Sequence, residues 1–270
     1  MIARLVGSEM CIRDRDGAMM KQEWKSPKNN VYMFLPQSLH NSIHKEDVVR
    51  LRRFLSTTFW SNTAALQCHF AAFALVLRGY NIDRAFWTLG QGGVGQSLLS
   101  HLVSTVFGEN HAFLDMNMYY TDDELRKQGE LLSGKSVVTG QEMPNGNRDM
   151  REDHYKEHIS ADPVSCRLPY AVVTKQVQLN GMKRFEMNQP PRFSATGEAA
   201  FASIMRRSLV VELTGTFVTA AELQAQNFTV DPEEAGWLIK DPTLIDILTS
   251  GPAVAAFLGL LSGFVASRAA

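Results

Sequence analysis

Eight consecutive residues, Gly90-Gln91-Gly92-Gly93-Val94-Gly95-Gln96-Ser97, lie between an apolar run, Arg84–Leu89, and a helical stretch, Ser97–Phe107. Their spacing is G-x-x-x-x-G-K-[ST] with Gln96 at the lysine position. Glycines let backbone N–H groups curl around a phosphate, and a helix N-terminus adds a partial positive charge. Leu98 falls in the first helical turn, whose amides complete such a cradle. Ser97 can offer its hydroxyl to a nucleotide-bound magnesium ion. Gln96 can donate a hydrogen bond to the outer phosphates but carries no charge. Taken alone, the segment reads equally well as an ordinary glycine-rich turn from strand to helix.

Phosphate chemistry needs an acid that holds magnesium and polarises the attacking water. Val137–Gln141 is apolar and is followed by Glu142, which could be that acid or a surface glutamate at a strand end. Phe185-Glu186-Met187-Asn188 precedes Gln189-Pro190-Pro191, so Asn188 could bond a γ-phosphate or simply form a turn. Arg206-Arg207 precede the run Ser208–Leu213, and a guanidinium there could neutralise phosphate charge on a neighbouring subunit. Two other constellations read as structural. Cys166 beside Arg167 is a small packed residue, and His154 and His158, at i, i+4 with no third ligand in view, lie on a solvated helical face.

Positioning these groups requires alternating strands and helices. Strand signals fall at Arg84–Leu89, Lys135–Gln141, Lys183–Met187 and Ser208–Leu213, with helical stretches between them. That order predicts an α/β domain with a mainly parallel central sheet flanked by helices. Residues 46–57 have helical apolar spacing, and residues 62–79 read as a buried helix ending at Gly79. The chain therefore divides into a helical lead-in (16–80), an α/β core (81–216) and a helical C-terminal part (217–270). Residues 251–266 are apolar but short for a membrane span, and read as a buried helix. The segment VGSEMCIRDR resembles translated sequencing-adapter sequence. Residues 1–15 are therefore expected to be an artefact, and the chain a fragment of a longer protein.

The chain has 270 residues, 45% apolar and 20% charged, which excludes a disordered or collagen-like polymer. A net charge of −1 argues against coating DNA by bulk charge. Charge is nevertheless segregated. Residues 21–84 hold nine Lys/Arg against four Asp/Glu, and residues 165–192 hold five against one. Residues 109–162 hold six against twelve. Local basic stretches of this kind can bind a polyanion or can be solvated faces. Three cysteines without CxxC spacing signal neither a zinc site nor a disulfide framework, and a soluble intracellular setting is expected.

The order glycine loop, acid, asparagine, arginine pair resembles the superfamily 3 helicases. It is most similar to the helicase part of primase–helicases of large DNA viruses, phages and plasmids. The resemblance runs from about Val48 to Ala266 through VVRLRRFLSTTF, FWTLGQGGVGQS, ELLSGKSVVTGQE, YKEHISADPVSCRLPY, EMNQPPRF and MRRSLVVEL. It implies a P-loop NTPase core of AAA+-like kind that binds ATP and Mg2+ and works on single-stranded DNA as a ring, expected to be a hexamer. A primase domain elsewhere in the full-length protein is also implied. Residue by residue, Gly90, Gly92, Gly93 and Gly95 shape the phosphate loop, with Gln91, Val94, Gln96 and Leu98 in it. Ser97 and Glu142 serve the metal, Asn188 is the sensor, and Arg206 or Arg207 is a finger acting in trans. Lys156, Arg167, Lys175 and Lys183 are implied contacts to the DNA backbone. Two positions depart from the pattern: Gln96 replaces the lysine, and Gln141 stands where many relatives have a second acid. The first opens a rival reading, a nucleotide- or DNA-binding relic without hydrolysis. A small-molecule kinase is a third reading, disfavoured by the basic segments and the arginine pair.

Overall fold

A computed structural model describes residues 2–6, 9–13, 19–22, 45–60, 62–141, 149–166, 175–194, 197–226, 228–250 and 254–261. The chain opens with strands β1 (Ile2–Val6), β2 (Glu9–Arg13) and β3 (Met19–Gln22), which form an antiparallel sheet in that order. Helices α1 (Lys45–Thr58) and α2 (Thr63–Leu77) follow, then β4 (Ala85–Leu89) and α3 (Gln96–Phe107). Next come β5 (His111–Leu114), α4 (Asp122–Leu132), β6 (Val137–Gln141) and α5 (Glu152–Ser160). The hairpin strands β7 (Pro163–Cys166) and β8 (Lys175–Gln178) precede β9 (Met182–Met187), α6 (Glu198–Arg206) and β10 (Ser208–Glu212). The C-terminal part holds β11 (Thr216–Val218), α7 (Ala220–Gln224), β12 (Trp237–Ile239), α8 (Leu244–Leu248) and a helix over 254–261, α9. Among the described residues no helix is long and apolar enough to cross a membrane.

These elements gather into two compact units. One holds Gly79–Gln91 and Glu109–Glu212, the other Met1–Arg78, Gly92–Gly108 and Leu213–Ala270. The first contains a five-stranded sheet in the order β10-β4-β9-β6-β5, with every neighbouring pair parallel. Parallel strands need crossovers, so this order requires the helix-bearing connections that the sequence supplies. In β4 and β6, burial on both faces explains why the strands read as nearly continuous apolar runs.

One face of this sheet carries Trp87, Leu114, Val138, Phe185 and Met187 into a core shared with Tyr119, Tyr155, Ile159 and Cys166. Trp87 stacks on Phe185 with ring centroids 4.3 Å apart and donates its indole N–H to the Tyr155 hydroxyl at 3.0 Å. Each large side chain buried here contributes about 1.5–3 kcal/mol. Gly140 allows the close packing, because a Cβ there would sit 2.5 Å from Met116 Sδ and 2.8 Å from Phe185.

In the other unit, α2 is apolar on nearly all sides. Phe73 meets Phe107 of α3 and Phe257 of α9, both at 5.7 Å. Leu51, Phe54 and Leu55 fix α1, and Phe54 packs on Phe217 of β11. β11 and β12 form a parallel pair. Three-residue strands are too short to leave a period in the sequence, which is why the C-terminal part reads as helical alone.

Candidate nucleotide site

Within the sheet unit, several strands end at one level. Leu89 pairs with Met187 on one side and with Glu212 on the other, and Gln141 pairs with Glu186. The Gly90 N–H extends this ladder by donating to the Met187 carbonyl at 3.0 Å. Gly90 and the exposed Asn188 therefore leave the same carboxyl edge of the sheet, where open parallel sheets bind ligands. The segment after Asn188 is tied back by an isolated bridge of Met150 to Phe193. Glu142 lies outside the described residues. Gln141, the residue before it, ends β6 at this edge.

In the helical unit, the rest of the glycine turn caps α3. Gly93 and Gly95 take φ values of +89° and +88°, a left-handed conformation that only glycine adopts cheaply. A Cβ on Gly95 would fall 3.0 Å from Thr58 Oγ1 and 3.0 Å from the Phe217 ring. The Gly93 carbonyl accepts from the Phe217 N–H at 2.8 Å, which fixes the turn. Ser97 is exposed in the first turn of α3, while Val94 is buried and Gln96 and Leu98 are half-buried. No side chain caps this helix start. The exposed Ser97 hydroxyl is an oxygen donor of the kind magnesium takes. Among the described residues no group of three His, Cys, Asp or Glu side chains is placed to hold a metal ion. The same unit has a cavity of about 470 Å³ lined by Arg50, Phe54, Trp237, Asp241 and Leu244, and Phe54 is also a wall of the Gly95 turn.

The two adjacent arginines differ. Arg207 is half-buried and donates to Ser160 Oγ at 3.0 Å and to Ser203 Oγ at 2.8 Å, so it ties α5, α6 and β10 together. Arg206, at the end of α6, is exposed.

Of the basic residues expected to contact DNA, Lys183 is not available. It is fully buried, and its Nζ donates to Asn81 Oδ1 at 3.3 Å and to the Ile82 carbonyl at 3.5 Å. Its neighbour Arg184 is also fully buried and pairs with Glu186 at 2.8 Å. Two members of the basic excess over 165–192 are therefore interior rather than at the surface. Lys156 is half-buried and paired with Glu152, Lys175 and Arg192 are exposed, and Arg167 lies outside the described residues. The two helix-spaced histidines are also interior rather than solvated. His154 bonds the Met118 carbonyl and Asp122, and His158 bonds the Tyr119 hydroxyl. Burial, assisted by the Lys183 charge, holds the His158 pKa well below its usual value.

Sequence reasoning overlooked the polar row on the second face of the sheet. Arg184 Nη2 donates to Glu186 Oε1 at 2.8 Å, and Gln141 Nε2 donates to Glu186 Oε2 at 3.1 Å. Thr88 lies directly across from Glu186 in register. The available signal was an Arg and a Glu two residues apart inside a strand segment, Met182–Met187. That spacing puts both on one face.

A parallel α/β sheet in which a central strand runs on into a glycine-rich segment is the class these features define. More particularly, the chain shares its fold with solved structures of the NrS-1 C-terminal region. The apo structure of that region, residues 305–718, aligns with TM-score 0.52 and 17% identity over 87% of this chain and 52% of that one. Its A-form apo structure aligns with TM-score 0.51 and 15% identity over the same shares. This chain thus spans about half the length of the solved chains it matches. No protein-family model matches the chain. No curated protein matches it either.

Proposed function

We propose that this chain is the ATP-dependent helicase module of a replication protein of the virus or plasmid type, acting on single-stranded DNA as a ring. The observation that carries the reading is the glycine turn itself. Two left-handed glycines open the start of α3, and Gly90 leaves the sheet at the edge where Asn188 leaves it. The fold shared with the NrS-1 C-terminal region supports an α/β module but says nothing of its chemistry.

In this reading the first backbone amides of α3 receive phosphate oxygens and Ser97 ligates Mg2+. Glu142 polarises the attacking water, Asn188 bonds the γ-phosphate, and Arg206 reaches the nucleotide of a neighbouring copy. The cavity beside Phe54 receives the nucleoside, with Trp237 as its aromatic wall. Lys175 and the residues around Arg167 meet the DNA backbone, a contact that is sequence-independent and weakens with salt. The test is ATPase activity with and without single-stranded DNA in the native chain, in Glu142→Gln and in Gln96→Lys. DNA-stimulated turnover that Glu142→Gln abolishes is the expected result. No turnover in either the native or the Gln96→Lys form overturns the enzyme reading.

Gln96 favours a second reading, a module that binds nucleotide or DNA without hydrolysing it. Under it, the native chain binds ATP without turnover and Gln96→Lys restores turnover.

A further inference from the structure

We propose that Thr58 is a positioning residue for phosphate at the glycine turn, its hydroxyl bonding the turn only when an oxyanion is held there. This assignment rests on the nucleotide reading above and adds a residue to it. Thr58 ends α1 and is fully buried, and its Oγ1 has no hydrogen-bond partner among the described residues. A threonine in a helix often donates to the carbonyl four residues back. Here Oγ1 faces the glycine turn instead, 3.0 Å from where a Gly95 Cβ would stand. The other two atoms nearest that point belong to the Phe54 and Phe217 rings, at 3.1 Å and 3.0 Å. The rings offer the hydroxyl no acceptor in their planes, so the polar group it faces is the backbone of the turn. Helix α1, the turn from Gly92 onward and Phe217 all belong to one compact unit.

The turn is pinned on both sides of Val94. The Gly93 carbonyl accepts from the Phe217 N–H at 2.8 Å, and the Gly95 carbonyl accepts from the Leu99 N–H at 2.9 Å. The peptide joining Val94 to Gly95 lies between these anchors, flanked by the two left-handed glycines. Its N–H can turn toward a phosphate oxygen, and because the peptide is planar this swings the Val94 carbonyl the opposite way. A hydroxyl donating to that carbonyl holds the peptide in the turned position. It also polarises the N–H and so strengthens its bond to the anion. A buried hydroxyl left unbonded destabilises the free chain. Closing the turn on phosphate relieves that penalty, so part of the binding energy is stored in the unbound fold.

The experiment compares the native chain, Thr58→Val, Thr58→Ser and Thr58→Ala by titration with a fluorescent ATP analogue and Mg2+, and by urea unfolding without ligand. Thr58→Val removes the hydroxyl and keeps the shape. The free variant is expected to be at least as stable as the native chain, yet to bind the analogue about five- to tenfold more weakly. Thr58→Ser loses a buried methyl, so it is expected to unfold at lower urea but to bind within about twofold of the native chain. Stability and affinity thus move in opposite directions in the two variants. Should Thr58→Val fail to fold, Thr58→Ser against Thr58→Ala isolates the same hydroxyl on a smaller side chain. Thr58→Ala is expected to bind about five- to tenfold more weakly than Thr58→Ser. Displacement of the analogue by inorganic tripolyphosphate, which has no nucleoside, is expected to weaken in Thr58→Val by the same factor. Native affinity in Thr58→Val, or affinities that follow stability across the set, overturns the assignment. So does tripolyphosphate displacement that is absent or that Thr58→Val leaves unchanged, since the hydroxyl then does not act on phosphate. A native chain that does not bind the analogue overturns the nucleotide reading itself, and the assignment with it.

Discussion

Arg206 and Arg207 share a chemistry and a neighbourhood, yet only one is spent on the fold. The Arg207 guanidinium satisfies Ser160 and Ser203, so Arg207→Ala leaves those groups without their donor. It is expected to lower stability by about 1–3 kcal/mol, measured by urea unfolding. Arg206→Ala is expected to stay within about 0.5 kcal/mol of the native chain, as exposed substitutions do. If Arg206 is the finger, the same substitution abolishes DNA-stimulated turnover, and mixing it with Glu142→Gln chains restores part of the activity. Complementation of that kind is impossible for a residue that acts within its own subunit. His111 makes a different residue-scale prediction. Burial, with Arg184 and Lys135 adding to it, lowers its pKa from 6.5 to about 4. The unfolded chain therefore binds a proton between those values that the native state refuses. Stability is complete above about pH 6.5 and falls as the pH drops toward 4, by on the order of 2 kcal/mol after solvent screening. His158 adds to the fall with the same sign. Urea midpoints at pH 7 and 4.5 check this, and His111→Gln is expected to flatten part of the slope.

At the scale of elements, the sheet depends on places where a side chain is missing. Gly181 turns the chain into β9 with φ +92°, and a Cβ there would lie 2.4 Å from the Ser136 carbonyl oxygen. Backbone cannot yield as a side chain can. Gly181→Ala is therefore expected to cost about 2–4 kcal/mol, read as a lower thermal midpoint. The strands around it were legible because strands buried on both faces are written as apolar runs. Arg84–Leu89, Lys135–Gln141 and Ser208–Leu213 each contain an observed strand, and Lys183–Met187 covers all of one but its first residue, Met182. β5 was not legible, since His111-Ala112-Phe113-Leu114 is short and begins with a histidine whose burial depends on Thr139 of the next strand. The interior position of His154 and His158 was hidden for a related reason. α5 begins Glu152-Asp153 and carries Lys156 and Glu157, so it reads as a solvated helix. Only the packing of Met118 and Tyr119 against it makes one side interior.

For the whole molecule, counting charges along the chain located basic segments but not basic surfaces. Lys183 and Arg184 are interior because Asn81, Ile82 and Glu186 receive them, and the Lys183 partners lie about a hundred positions upstream. Single-stranded DNA is accordingly expected to be held by few phosphate contacts per chain. A slope of log affinity against log salt no steeper than about −2 per chain is expected, from about −0.7 per contact. Lys175→Ala is expected to weaken binding and reduce that slope, whereas Lys183→Ala lowers stability and leaves the slope unchanged. A fluorescence titration over a salt series with labelled oligonucleotide checks both. The glycine turn and Asn188 stand out in the sequence by local pattern, while the contact of Gln141 with Glu186 depends on residues 45 positions apart.

The order of the central sheet has a consequence during synthesis. β4 finds its neighbours in β9 and β10, whose first paired residues, Lys183 and Ser208, lie 98 and 123 positions downstream of Ala85. A ribosome adding about 5–20 residues per second needs roughly 5–20 s to make the nearer one. Through that interval Ala85-Phe86-Trp87-Thr88-Leu89 is translated but unpaired, an adhesive ribbon with nothing yet to lie against. Expression at lower temperature or with extra holdase chaperone should raise the soluble yield, and truncation before residue 208 should leave the nascent product captured by chaperones.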